Sequence, residues 1–347
     1  MIGGLRTRIP PLLAVFLVAC LLLSTAEASL GDRLPEFREC VELCGRENCD
    51  PKNNPTPILN QPSLLTRDPS AALHHRLLFW TCPQECDYTC QHIITSRRVA
   101  RNEPITQYHG KWPFIRVLGM QEPFSVLFSL GNMVAHQNGL AKLRASIPAN
   151  YPLRPYYCLF AYFGIATWVF SSIFHVRDFL VTEQLDYFAA GAGVLYGLYY
   201  TPIRVFRLDR PTRKRKSFLR LWTVLCCTLY ACHVIYLKMW KWDYTYNMTA
   251  NVVVGLVQNA MWTYFSWSKY RETHRTWAVW PGCIVAWLMM VMSLELLDFP
   301  PVWGALDAHS LWHLGTIIPT IVWYNFLVRD AQDDIAGTTK LKDKEVE

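Results

Sequence analysis

The chain lacks any continuous basic stripe, although its 34 Lys and Arg against 27 Asp and Glu leave a formal charge of +7. Its basic residues fall in short stretches between apolar runs, which argues against a nucleic-acid groove and gives the charge a topological meaning. There is no internal repeat and no low-complexity tract. No pair of Gly- or Pro-broken apolar segments recurs in two halves, which argues against a transporter built from inverted repeats. Paired C-x2-C is also missing: Cys40, Cys44 and Cys49, then Cys82, Cys86 and Cys90, are separated by three or four residues. That spacing weakens a zinc-cluster reading of the cysteines.

What the chain has instead is apolar length. Runs of about 18 or more apolar residues recur through the C-terminal two-thirds, close to the ~20 that a bilayer-spanning helix needs. Residues 1–28 read as a secretory signal, with Arg6 and Arg8 ahead of an apolar run from Leu12 to Leu23 and Ala26 and Ala28 at a cleavage site. A lumenal domain follows over 29–123. In an oxidising compartment its six cysteines predict up to three disulfides, in one of 15 connectivities that sequence cannot choose between. Cys158, Cys226, Cys227, Cys232 and Cys283 lie in apolar segments and are expected as buried small hydrophobes. Trp112 and Phe114 are expected as interfacial anchors.

Seven spans are predicted, at about 124–141, 156–174, 186–203, 219–237, 250–267, 277–296 and 310–328. The expected fold class is therefore an all-α membrane protein, a seven-transmembrane helix bundle with a small disulfide-rich lumenal N-terminal domain. Counted from a lumenal N-terminus, the predicted cytosolic loops hold fourteen Lys and Arg. These are Lys142, Arg144 and Arg154, then Arg204, Arg207, Arg210, Arg213, Lys214, Arg215, Lys216 and Arg220, then Lys269, Arg271 and Arg275. The predicted lumenal loops hold three, Arg177, Lys238 and Lys241. This bias matches the positive-inside rule and puts residues 329–347 in the cytosol. Asn247-Met248-Thr249 is a glycosylation sequon at a predicted lumenal end.

This topology brings three span ends to one face of the membrane: the end of the second, with Ser171 and His175; the start of the third, with Asp186; and the start of the seventh, with His309 and His313. On a helix, residues four apart share a face, so His309 and His313 present two imidazoles to one ion. His175 supplies a third, and three nitrogens with one open position are the donor set of catalytic zinc, Zn2+. Such a site suits ester or amide hydrolysis. Asp186 is the expected general base. Ser171 either donates to the water or oxyanion or is itself the nucleophile. Among the neighbours, Arg177 and Asp178 are expected to pair with each other or with headgroups, Glu183 to cap the third span and Glu295 to be paired inside the bundle. Asp307 is expected to orient a ligand imidazole. His136 and His233 are expected in packing or polar networks.

Further phrases carry a resemblance: His109 to Phe114 (His-Gly-Lys-Trp-Pro-Phe), Phe174-His175-x-Arg177-Asp178, Asp186-Tyr187-Phe188, Leu296 to Pro301 (Leu-Leu-Asp-Phe-Pro-Pro) and Leu306 to His313. With the five site residues they resemble the superfamily of seven-helix hydrolases that includes alkaline ceramidases and adiponectin receptors, and within it the Per-one-like family. The resemblance implies a phospholipase of the Golgi apparatus membrane, or of the endoplasmic reticulum in fungal relatives. Its substrates would be GPI-anchored proteins, and it would remove the sn-2 acyl chain of the anchor as part of lipid remodelling. It also implies zinc on His175, His309 and His313, with Asp186 and Ser171 beside the bound water. The same residues permit a ceramidase-like amidase, and a seven-helix receptor with a structural metal is the alternative from another class.

Overall fold

The computed structural model describes residues 29–49, 73–210 and 212–346. The predicted signal segment, 1–28, lies outside them. Every regular element among the described residues is helical.

The N-terminal part is built on two helices, α1 (Pro35–Asn48) and α2 (Cys82–Ala100). Each begins with a proline in its first turn, where the missing N–H costs nothing. At the start of α2 the Gln84 side chain reaches back to accept from the Thr81 N–H at 3.1 Å. The two helices are laced by disulfides Cys40–Cys90, Cys44–Cys86 and Cys49–Cys82. Rising numbers on one helix meet falling numbers on the other, so the connectivity follows from antiparallel packing with one cysteine per turn. Sequence separations of 33 to 50 residues give each bond about 4 kcal/mol in the chain-entropy picture, though nested loops do not add in full.

Seven longer helices follow: α3 (Pro123–Ser146), α4 (Arg154–Val176), α5 (Leu180–Val205), α6 (Arg213–Ile235), α7 (Tyr244–Thr273), α8 (Trp280–Leu297) and α9 (Ala308–Val346). Packing runs α3–α4–α5–α7–α8–α9 and closes from α9 back onto α3, with α6 set outside against α5. Four segments are long and apolar enough to cross a membrane: Arg154–Val176, Arg213–Trp240, Thr276–Glu295 and Ala308–Gly337. The protein is therefore a membrane protein. Helices α3, α5 and α7 fall short because they carry polar groups such as Asn132, His136, Asp186 and Asn247, and Asn132, His136 and Asn247 are buried. The outward face of α6 shows Leu221, Val224, Leu225 and Leu229, which is how a helix meets lipid rather than water. Cys227 and Cys232 of the same helix, and Cys283 of α8, are exposed, so of the five free cysteines only Cys226 is fully buried as expected.

Small residues let the central helices approach closely. A Cβ at Gly139 would stand 2.2 Å from the Tyr324 ring, and one at Gly164 would stand 2.2 Å from the His136 ring. His136 in turn bonds Tyr324 Oη through Nδ1 at 2.7 Å.

At the far end of the bundle the last helix is long. Helix α9 runs on past Val328, and Asp330 and Ala331 are fully buried. Asp330 holds both forks of Arg204, Asp334 pairs with Arg207 and Arg210, and Asp333 pairs with Lys269 and Arg275. Five of the fourteen basic residues of the charge count are thus fixed to one acidic turn of α9.

Candidate metal centre

The five site residues predicted from sequence lie at the end of the bundle that carries the disulfide-laced helices. Ser171 and His175 occupy the last two turns of α4, Asp186 the first turns of α5, and His309 and His313 the first two turns of α9. Helix α9 starts where it does because Asp307 and Ser310 close a reciprocal cap. Ser310 N–H donates to Asp307 Oδ1 at 2.9 Å, and Asp307 N–H to Ser310 Oγ at 3.1 Å. That cap occupies the Asp307 carboxylate, so Asp307 does not orient a histidine as expected.

The three histidines converge. One ring nitrogen from each of His175, His309 and His313 lies within 4.8 Å of the other two, and the Nε2 atoms of His309 and His313 are 3.0 Å apart. The Nδ1 atom of each ring is already engaged. His175 Nδ1–H donates to Glu122 Oε2 at 2.7 Å, His309 Nδ1–H donates to Glu295 Oε2 at 2.8 Å, and His313 Nδ1 is 2.8 Å from Ser129 Oγ. A neutral imidazole that uses Nδ1 as donor turns a lone pair outward at Nε2, so the outer contacts select the tautomer that ligates a metal. Carboxylate–histidine pairs of this kind surround zinc ions bound by imidazole. The donor set of three imidazole nitrogens fits zinc. The other group of suitable atoms, Cys49, Cys82 and Cys86, is committed to disulfides.

His175 and His313 are about 2% and 1% exposed, whereas the His309 side chain is 34% exposed and forms the open side of the cluster. Trp168 sets its ring edge against His313, with centroids 5.1 Å apart. Asn132 Nδ2 and Thr316 Oγ1 both donate to the His313 carbonyl. Asp186 stands outside the three-nitrogen group but within electrostatic range of His175 and His309. Among the described residues its carboxylate makes no hydrogen bond, which leaves it free for water or substrate.

Ser171 is buried, and its Oγ is 3.0 Å from Ser129 Oγ, which in turn contacts His313. No imidazole nitrogen bonds Ser171 directly, so the geometry lacks the base that a serine nucleophile needs.

Three supporting residues were not assigned this role from sequence. Glu122 is placed by backbone bonds to the turn that carries His175: Glu122 N–H donates to His175 O at 3.0 Å, and Gln121 N–H to Val176 O at 3.1 Å. Ser129 lies in the predicted span at about 124–141 and carries no motif of its own. Glu295 was expected to be paired, and its partner is His309. Two expected contacts of neighbours are replaced by others. The Asp178 side chain pairs with Lys111 at 2.9 Å and not with Arg177, and Thr182 rather than Glu183 caps α5 at the Phe179 N–H, Glu183 accepting instead from Trp242 Nε1 at 3.1 Å. Trp112 is an inter-element tie, donating to Asp298 Oδ1 at 2.7 Å, and Phe114 is buried. His233 contacts Tyr246 Oη at 3.4 Å. The sequon residue Asn247 is buried in the first turn of α7 and accepts from Asn251, so a glycan there requires this turn to open.

The chain is similar to known proteins along most of its length. The Per1-like family profile matches residues 72–331. The chain is 43% identical over 319 residues to the protein PER1 homolog of Schizosaccharomyces pombe, covering 91% of each. It is 37% identical to the GPI-specific phospholipase A2-like PGAP3 of Xenopus laevis, over 92% of this chain and 94% of that one. It is 34% identical to the protein of the same name from Homo sapiens, over 88% and 90%.

Proposed function

From the premise that this chain belongs to the Per1-like family, we propose that it is a membrane-embedded hydrolase that removes the sn-2 acyl chain from the lipid of protein-attached GPI anchors. The observation that carries the reading is the cluster of three imidazoles, each fixed at Nδ1 and turned inward at Nε2, beside an uncommitted carboxylate. The relatives named GPI-specific phospholipase A2-like support the substrate and the bond.

His175, His309 and His313 would hold zinc, which supplies Lewis-acid polarisation of the acyl carbonyl and activation of water at neutral pH. Glu122, Glu295 and Ser129 keep the three rings in one tautomer and orientation. Asp186 takes the proton from the attacking water and returns it to the leaving alkoxide. The Ser171 hydroxyl, held by Ser129, adds a donor facing the developing negative charge. In this reading α3–α9 all cross the bilayer and residues 124–328 form the hydrolase unit. Residues 29–123 form the lumenal domain, after loss of signal 1–28, and 329–347 lie on the cytosolic side. The membrane is that of the Golgi apparatus or the endoplasmic reticulum, where the ester lies just below the headgroups and the anchored protein is in the lumen.

The test is mass spectrometry of the lipid on a GPI-anchored reporter, in cells lacking the endogenous activity and complemented with wild type or with well-expressed His313→Ala. Wild type restores exchange of the unsaturated sn-2 chain and the variant does not. A variant that restores it equally well makes the cluster structural. Failure of properly localised wild type, with sphingosine released instead, turns the reading to an amidase.

A further inference from the structure

Beside the histidine cluster, between α2 and the segments that precede α3 and follow α4, lies a cavity of about 490 Å3, within the size range of small-molecule sites. One wall is cationic. Arg116 and Arg177 both lay their guanidinium groups over the Trp80 ring, 3.2 and 3.6 Å from its centroid. Arg116 is neutralised by Glu85 at 2.6 Å. Arg177 is only 6% exposed, and its fork is held by neutral oxygens: Leu78 O at 3.0 Å, Asp178 O at 3.2 Å and Gln84 Oε1 at 2.8 Å. It forms no ion pair with a carboxylate among the described residues, and the Asp178 side chain is taken by Lys111. Asp178 and Glu85 are within electrostatic range but are paired to Lys111 and Arg116; a buried charge without a direct ion pair is costly, and an anion in the cavity offsets that cost.

The rest of the lining has other chemistry. Asp87 accepts from Gln91 and His109 and retains lone pairs for hydroxyl donors, while Tyr88 and Trp112 add flat aromatic surface. Guanidinium groups together with a carboxylate, an amide and rings in one cavity match a phosphorylated polyol. We propose that this cavity is the headgroup subsite and takes an inositol phosphate, with the phosphate on Arg177 and the ring hydroxyls on Asp87 and Gln91. Its position supports the assignment. Lys111, on the cavity wall, binds the same Glu122 carboxylate that anchors His175, at 2.7 Å, and Arg177 follows His175 by two residues. Headgroup and ester would thus be held side by side. The proposal rests on the hydrolase reading for the identity of the lipid.

The test is calorimetric titration of the full-length, detergent-solubilised protein with glycerophosphoinositol. This headgroup has no acyl ester, so its binding is measured apart from hydrolysis. Inorganic phosphate and glycerophosphocholine serve as comparisons. Arg177→Gln removes the charge; Gln91→Trp fills the cavity and leaves the charges in place. Wild type should bind glycerophosphoinositol at least tenfold more tightly than either comparison, and each variant should weaken it at least tenfold with an unchanged melting temperature. If Arg177→Gln does not fold, Gln91→Trp decides. Equal affinity for inorganic phosphate, no binding by wild type, or full binding by folded Gln91→Trp overturns the proposal. Lipid exchange that persists without headgroup binding sinks the subsite alone, whereas headgroup binding without acyl release sinks the hydrolase reading and leaves the subsite standing.

Discussion

Replacing Glu122 with glutamine separates the support of the metal centre from the support of the fold. Glu122 is 5% exposed and accepts from both Lys111 and His175 at 2.7 Å. Burial works against its charge, but the Lys111 ammonium and the His175 ring hold its carboxyl well below the usual carboxylate range. Removing one partner of a buried pair costs about 3–5 kcal/mol when the other charge is stranded. Here Lys111 keeps Asp178 at 2.9 Å, and the glutamine carbonyl still accepts from His175. The expected stability loss is therefore nearer 1–3 kcal/mol, the cost of weakened buried hydrogen bonds. Loss of the carboxylate makes the His175 ring a poorer ligand, and outer partners of ligating histidines are worth about 10–100-fold in metal affinity or activity. The assay is zinc affinity by competition with a chelator on purified protein, read beside melting temperature and acyl release. Glu122→Gln should lose zinc affinity and acyl release together while remaining folded. Wild-type zinc affinity in folded Glu122→Gln, or activity loss that only follows the loss of folded protein, refutes the reasoning.

Asp186→Asn should keep zinc and lower the rate of acyl release by about 10²–10⁴-fold, as expected for a general base. Ser171→Ala removes a donor facing the developing negative charge and should cost about 10²–10³-fold without abolishing turnover, and wild type trapped with substrate should show no acyl adduct on Ser171 by mass spectrometry. Asp330→Ala strands the buried Arg204 and should destabilise the protein by about 3–5 kcal/mol, seen in thermal melts at unchanged zinc content. The N-terminal part should respond to pH with two opposed arms. The Asp87 hydrogen bond raises His109, so its contribution is complete below about pH 6.5 and fades as pH rises through the raised value. Burial lowers His92, so its native state binds fewer protons than the unfolded chain and stability falls as pH drops below about 6.5. His109→Gln should flatten the alkaline arm and His92→Gln the acid arm of a melting-temperature profile; identical profiles in all three proteins would show that neither histidine is linked to folding.

The convergence of His175, His309 and His313 was legible because local periodicity and membrane topology both act on them. One helical turn separates His309 from His313, and a count of apolar segments brings His175 to the same end. Their supports were not, because each is fixed by a long-range contact. Glu122 reaches His175 through backbone bonds across 53 residues, and Ser129 meets His313 across 184. Asp307 was the nearer acid to His309 in sequence, yet its carboxylate is occupied by the N-terminal cap of α9, and Glu295 takes its place from the end of α8. The disulfide connectivity was hidden for a related reason. Cys40 and Cys44, and likewise Cys82, Cys86 and Cys90, are one helical turn apart, but only the antiparallel packing of α1 and α2 decides which sulfurs meet.

The same physics explains why the charge count said less than it suggested. Arg204, Arg207, Arg210, Lys269 and Arg275 fit the positive-inside pattern, but Asp330, Asp333 and Asp334 hold all five. A buried guanidinium requires a counter-charge in low dielectric, and at this end the bundle supplies it from its own last helix. Arg177 is buried at the other end, beside the histidine cluster, and no carboxylate pairs with it among the described residues. If both ends obeyed one rule with internal partners alone, Arg177 would be a defect. The proposed headgroup phosphate would make the two ends consistent, with one cation cluster neutralised by the fold and one buried arginine neutralised by the bound lipid.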